Sequence, residues 1–465
     1  EELSLRGPGV TVYTQDDPSF PDSVETLIYD EDLEMSWHYE VETVPTLMFI
    51  QDGKEMARTV GWSRSHWEAL TGVDDLGLGL PEMRPGCGSL SVDPNLADGL
   101  SLKFGSTALK SRRVEIATLE DEFDALFDRG WSDGLPVVPP TEERVARMLQ
   151  GTSRKPDEVV AVVPPVLNQC TVEKVAINAV MAGCKPEYLP VVLTAVEAAC
   201  TDQFNIHGLL CTLWFSGPIV IVNGPIRNRI GMNVDKNALG QGNRANSTIG
   251  RALQLVIRNV GGGKPGIGGI DRSALGAPSK VGWCFGEDEE SLPDGWPPLS
   301  VSRGFLEGED TVTLFAGHGP VGCIDQISRT PESLVRTLAQ QLQCVGNRKL
   351  PGEAMVVMTP EHMNVFSGAG WSKEKFYEEL EPLLEMDPEV SARGALGIEE
   401  GIPTSGDEET VFGSSSGRAI RKLPEWSPMI VRAGGGAGGS SAILEGWVLG
   451  AKGSTPINRR IEPSV

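Results

Sequence analysis

The chain is 465 residues long, with 64 acidic residues against 40 basic ones and a net charge of −24. So acidic a balance excludes partners that need a basic face, nucleic acid and anionic membrane surfaces among them. No apolar run reaches the length of a membrane span, and 40% hydrophobic with 22% charged residues is the make-up of a globular chain with room for two or three domains.

The chain opens EELSLRG, without methionine or a charged-then-apolar leader, so a processed N-terminus is expected rather than a secretion signal. Its eight cysteines (87, 170, 184, 200, 211, 284, 323 and 344) include no CxxC pair, so neither a zinc knuckle nor a dithiol motif is present. Cys170, Cys200, Cys211 and Cys344 stand among apolar residues and read as small buried hydrophobes. A reducing cytoplasm fits this usage best.

Residues 10–72 begin with VTVYT, a first strand, and continue as YDEDLEMSWHYEVETVPTLMFIQDGKEMARTVGW. This run resembles the strand, helix, Val-Pro-Thr turn and closing hairpin of the thioredoxin fold. The resemblance implies a cis peptide before Pro45. It also places a CxxC helix where this chain has only QDDPSFPDSVET, so residues 1–73 are expected to be a degenerate thioredoxin-like module, a docking or structural relic. Residues 74–112 read as a linker containing PGCGS. Glycines beside Cys87 would leave its sulfur exposed, and Arg84 nearby would favour the thiolate; the plain alternative is a turn with an incidental thiol.

From residue 113 the pattern is regular, and two α/β domains are expected, over 113–300 and 301–465. EIATLEDEFDALFDRGW is an amphipathic helix, and Thr141 after DGLPVVPPT caps EERVARMLQG. EVVAVVPPV reads as a buried strand stopped by prolines. Next come two apolar helices, TVEKVAINAVMAGCKPEYLPVVLTAVEAAC, with Thr171 as N-cap, Gly183 as stop, and Pro190 marking a kink or a later start. Cys184 lies in the corner between them and His207 at the far exit. The runs DGLPVVPPT, TVEKVAINAVMAGCKPEY and GWSKE resemble a bacterial family that carries no established activity. The resemblance spans most of residues 80–465 and implies that Cys87 and Cys184 belong to its pattern.

SGPIVIVNGPI is a buried strand ending at Asn223. Before a helix expected to start near Ile249 lie Asn237, Gln241, Asn243, Arg244, Asn246, Ser247 and Thr248, a set that suits either ordinary capping or an anion site, with Arg244 and Arg251 as a fork. GGGKPGIGG lacks the ending of a phosphate loop and reads as a flexible loop or lid. The carboxylates at 287–290 are either a solvated face or, aimed inward, bases or metal ligands.

TVTLFAGHGP is a strand ending at His318, EAMVVMTPEH a strand ending at Glu361-His362, and PMIVRAGGGAGGSS a strand running into a glycine nest that includes Gly435 and Gly436. Strands alternating with helices predict a mostly parallel sheet, with ligands beyond the carboxyl ends of the strands. GPIVIVNGPI and EAMVVMTPEH hold similar places, which admits a diverged duplication.

Three functions follow as expectations. The first is a thiol-dependent oxidoreductase for a small anionic substrate, with Cys184 and Cys87 as thiols and His207, His318 or His362 as base. Substrate-binding groups would come from Asn223, Asn243, Arg244, Asn246, Gly435 and Gly436. The second is a metal-assisted lyase or hydrolase built on His318, Glu361, His362 and the 287–290 carboxylates, although no ligand spacing supports a metal. The third is a non-catalytic subunit joined to a partner. No cofactor is indicated, and homo-oligomerisation is a base-rate expectation. The first expects the corner, the glycine-flanked sulfur and the imidazoles to share one cavity.

Overall fold

The computed structural model describes residues 2–3, 9–16, 24, 26–93, 96–104, 109–116, 120–403, 420–425, 427–436, 438–447 and 453–462. The chain divides into two compact units, Glu1–Lys110 and Ser111–Val465.

In the first unit, Val12–Thr14 pairs in parallel with Leu27–Tyr29, and Thr46–Gln51 forms an antiparallel hairpin with Lys54–Val60. The Val44–Pro45 peptide is cis. Most of the QDDPSFPDSVET stretch lies outside the described residues. The segment expected to be a linker is folded back onto the module: Met83–Arg84 pairs with Trp62–Ser63, and Cys87–Gly88 with Thr43–Val44. A side chain at Gly86 would strike Thr43 and the Val44 carbonyl, and this fixes glycine there.

The second unit is built on a seven-stranded sheet: β1 (Gly217–Asn223), β2 (Trp283–Gly286), β3 (Thr311–Ile324), β4 (Ala354–Met358), β5 (Met429–Arg432), β6 (Ser440–Gly446) and β7 (Ile457–Arg460). The order is β2-β1-β3-β6-β4-β5, with β7 on β3. Only β1–β2 and β4–β5 are parallel; β1–β3, β3–β6, β3–β7 and β4–β6 are antiparallel. The fold is therefore α/β with a mixed sheet rather than a mostly parallel one. A fully buried strand such as β1 has no polar alternation, and its apolar run looks the same whichever way its neighbour points. Nor does the sheet divide at residue 300, because β1 and β2 pair into the same ladder as β3.

The strand order repeats itself. β1 has a parallel partner outside it, β2, and an antiparallel one inside, β3; β4 has β5 and β6 in the same relation. The two inner strands pair with each other, in β3 beyond Gly317, where the register shifts by a bulge and the strand changes partner. The sheet curls until its outer strands meet, since the Asp288 N–H just past β2 donates to the Arg432 carbonyl at the end of β5 (2.8 Å). Alternate residues of six strands fill the concave interior, among them Ile219, Phe285, Phe315, Val357, Val431 and Leu444.

The convex face is covered by helices. α1 (Val172–Ala182) is capped by Thr171, whose hydroxyl accepts the Lys174 N–H, and stops at Gly183 with φ +88°. α2 (Leu189–Ala199) begins after a single 3-10 turn, with Pro190 inside its first turn, where a missing N–H is harmless. α3 (Arg244–Asn259) follows β1. α4 (Pro331–Leu342), α5 (Pro360–Gly368) and α6 (Lys373–Leu380) pack on the second half around Phe366, Phe376 and Trp296. EVVAVVPPV, expected to be a buried strand, is a half-exposed one, Val159–Val163, paired only with Asn168–Thr171. The helix read from EIATLEDEFDALFDRGW runs from Glu122 to Asp128, with 117–119 outside the described residues. No described helix is long and apolar enough to cross a membrane.

Candidate functional site

The expected thiol centre is not an open one. Cys184 does sit at the corner after α1, but it is buried, and its sulfur points to the Thr248 carbonyl (3.5 Å). Burial pushes its pKa up to about 12, against the weaker opposing effects of Thr248 and Arg244, so the thiol is un-ionised at neutral pH. Cys284 is buried beside it and also raised by burial. Cys87 is exposed and belongs to the first unit. Cys170 is buried as expected, whereas Cys211 and Cys344 are exposed; the first closes the short helix Ile206–Cys211, the second lies just past the end of α4. His207 is exposed on that same short helix.

The expected anion loop is saturated by its own chain. α3 begins at Arg244, not near Ile249, capped by Asn243, whose side chain accepts the Asn246 N–H. Arg244 donates to the Gly183 and Cys184 carbonyls and so caps the end of α1. Asn246 is buried, bonded to Asn233 and the Ala238 carbonyl. Arg251 forms a bidentate pair with Asp133 at 2.8 Å on both oxygens, which fastens the DGLPVVPPT segment.

Asn223 and the 287–290 carboxylates meet at the ends of β1 and β2 as a closed network. Asn223 donates to Glu287 and Glu289 (2.6 and 2.7 Å). Glu287, 1% exposed, also accepts the Leu299 N–H and the Arg432 N–H. Arg227, 1% exposed, reaches the Gly224 carbonyl and both oxygens of Glu290. Burial raises the Glu287 pKa and lowers that of Lys373, each partly restored by the other's charge. Glu287 is aimed inward and Glu290 outward, but nearly every polar atom already has a partner, so the cluster pins the outer strands together.

His318 is not at a strand end. It lies mid-β3 at the bulge, with Nε2 3.1 Å from Glu445 and its ring against Phe215 at 4.9 Å. Glu353, just before β4, is 1% exposed; burial drives its carboxyl well above the usual range, opposed by the charge of Arg303.

An open site lies in the second half of the sheet. A cavity of about 440 Å³ is bounded by the loop after β3 (Asp325, Gln326, Ser328, Arg329), the first turns of α5 (Glu361, His362, Asn364, Val365) and Gly438 and Gly439 before β6. Such a volume suits a small ligand. His362 ties the three walls together: Nε2 faces the Asp325 carbonyl (3.1 Å) and Nδ1 the Ser441 hydroxyl (2.8 Å). A carbonyl only accepts, so Nε2–H donates to Asp325, and Nδ1 shares a hydrogen bond with the Ser441 hydroxyl.

Asp325 lies well below the usual carboxylate range: burial opposes this, but hydrogen bonds from Thr337, Ser328 and the Ile327 N–H outweigh it. Glu361 is exposed, and one of its oxygens accepts the Gly439 N–H. The glycine nest thus already holds an anion, the chain's own carboxylate. Gly435 packs against the Lys236 side chain, and Gly436 is exposed; neither lines the cavity, and Ala437 lies outside the described residues.

Of the site residues expected in the second unit, this cavity gathers Glu361 and His362 only; Cys184, His207 and His318 do not line it. The cavity also draws on Asp325, Ser328 and Arg329, whose D-x-x-S run before a capped helix is a recognisable turn signal. Among the described residues no three His, Cys, Asp or Glu side chains are grouped to hold a metal ion. Compared with protein-family models, curated proteins and solved structures, the chain matches none of them.

Proposed function

We propose that the protein is an enzyme that carries out acid–base chemistry, of the lyase or hydrolase kind, on a small polar molecule held in the His362 cavity. The observation that carries this reading is the convergence there of Glu361 and His362, from the first turn of α5, with Arg329, from the loop after β3. Glu361 is the group that would touch substrate: one oxygen is held by the Gly439 N–H, leaving the other for proton transfer. His362 has both nitrogens engaged and acts as a positioning residue.

The test is an NMR survey in D2O of small esters, amides, hydroxy acids and amino acids, following both cleavage and C–H exchange. Conversion by the native protein, lost in Glu361→Gln, supports the reading. Conversion that survives in that variant overturns it.

A second reading, the thiol-dependent oxidoreductase, is supported by one observation at Cys87. This exposed cysteine is the register partner of Val44, in the Val-Pro-Thr turn. On this reading the first unit is a thioredoxin-like module with a displaced thiol, working in a reducing cytoplasm. Alkylation of Cys87 that leaves all turnover intact would remove it. We also propose that the repeated strand order descends from a duplication, and that residues 80–465 belong to the bacterial family their motifs resemble.

A further inference from the structure

We infer that the ligand of the His362 cavity is a small zwitterion of the α-amino-acid class, its carboxylate on Arg329 and its ammonium on Glu361; this rests on the reading of the cavity as the substrate site. Arg329 and Glu361 line the same space from different elements, the loop after β3 and the first turn of α5. The Arg329 guanidinium donates through one nitrogen to the Gln326 and Ser328 carbonyls (3.0 Å each), which fixes its direction without neutralising it. Among the described residues no ion pair reaches it. Glu361 likewise has no cationic partner there; its one bond is to a backbone N–H.

The other anion of the wall, Asp325, is already held by two hydroxyls and two backbone N–H groups and offers little to a ligand. Among the described residues, one cation and one carboxylate therefore face the cavity without a charged partner. A guanidinium fork matches a carboxylate, and a carboxylate matches an ammonium. The size of the ligand follows from the rest of the wall. Ligand pockets are usually lined by apolar side chains, whereas here Val365 is the sole hydrocarbon side chain among the lining residues. An acyl chain or aromatic ring would find little to pack against, so the class narrows to short, polar amino acids.

Titration calorimetry on the full chain tests this with serine, propionate, ethylamine and N-acetylserine, using the native protein, Arg329→Gln and Glu361→Gln. Serine should bind the native protein and bind about tenfold or more weakly in each variant, the loss expected for one charge-assisted contact. Propionate and N-acetylserine should bind more weakly than serine and lose nothing further in Glu361→Gln. Ethylamine should be indifferent to Arg329→Gln. If serine fails to bind, or binds no better than propionate or ethylamine, the inference is overturned. Binding of serine without turnover of any compound would uphold the inference and sink the enzymatic reading; Glu361-dependent turnover of a compound without an ammonium group would do the reverse.

Discussion

The loop after β1 and the loop after β4 occupy equivalent places in the repeated strand order, yet one is full and the other open. At the ends of β1 and β2, Asn223, Arg227, Glu287, Glu289 and Glu290 bond one another until few donors or acceptors are left over. Around the cavity, Glu361 after β4 and Arg329 after β3 keep charge that no ion pair among the described residues neutralises. A strand end becomes a pin when its charges are buried and mutually satisfied, and a site when some are left facing solvent-sized space. The first half holds the sheet's edges together, and the second is free to bind.

The largest expected effect lies in the pin. Arg227→Met would leave the Gly224 and Glu287 carbonyls without their buried donor and Glu289 without its cation, and should destabilise by about 2–4 kcal/mol, read by urea unfolding. A loss below about 1 kcal/mol would mean that the network is ornamental. Next comes the sealing of the same half: in the native protein Cys184 and Cys284 should react with iodoacetamide at least about a hundredfold more slowly than Cys87. Equal rates, followed by peptide mapping, would break the contrast and revive the thiol corner.

A smaller effect concerns Glu353, at the opposite end of β4. Its pKa is raised in the folded state, so the folded protein holds a proton that the unfolded chain releases near pH 4. That contribution is complete below the unfolded value and is lost as pH rises towards the folded one. Glu353→Gln should therefore remove part of the fall in melting temperature between pH 5 and pH 8 (assay conditions of about these values). An unchanged slope would show that Glu353 is not a buried acid. The smallest effect is on the fold in Glu361→Gln, where one exposed hydrogen bond is weakened and stability should change by less than about 1 kcal/mol.

Much of this was readable from residues, and the misses have definite causes. Thr171 and Gly183 bracket α1 because capping and left-handed backbone are local chemistry. Glu361 and His362 stand out because ligands collect beyond the carboxyl ends of buried strands, but the strand expected to end at them stops at Met358, and both lie in the first turn of α5. Sheet direction was not readable, because strands buried on both faces carry no mark of their neighbour's sense. Arg244 was ambiguous for another reason: the donors that bind an anion are the same ones that cap a helix, and here the neighbour was the end of α1. Cys184 looked poised because its corner is local, while the Thr248 carbonyl and Cys284 that seal it come from distant sequence. His318 looked terminal because Gly317, Gly319 and Pro320 are turn residues, but they serve a bulge and β3 continues.

The most direct test of the central claim is the turnover number of Glu361→Gln on whatever compound the native protein converts, measured on samples with matching melting temperatures. The account predicts that turnover disappears while the fold stays intact. Full turnover in that variant would mean that the chemistry is done elsewhere in the molecule.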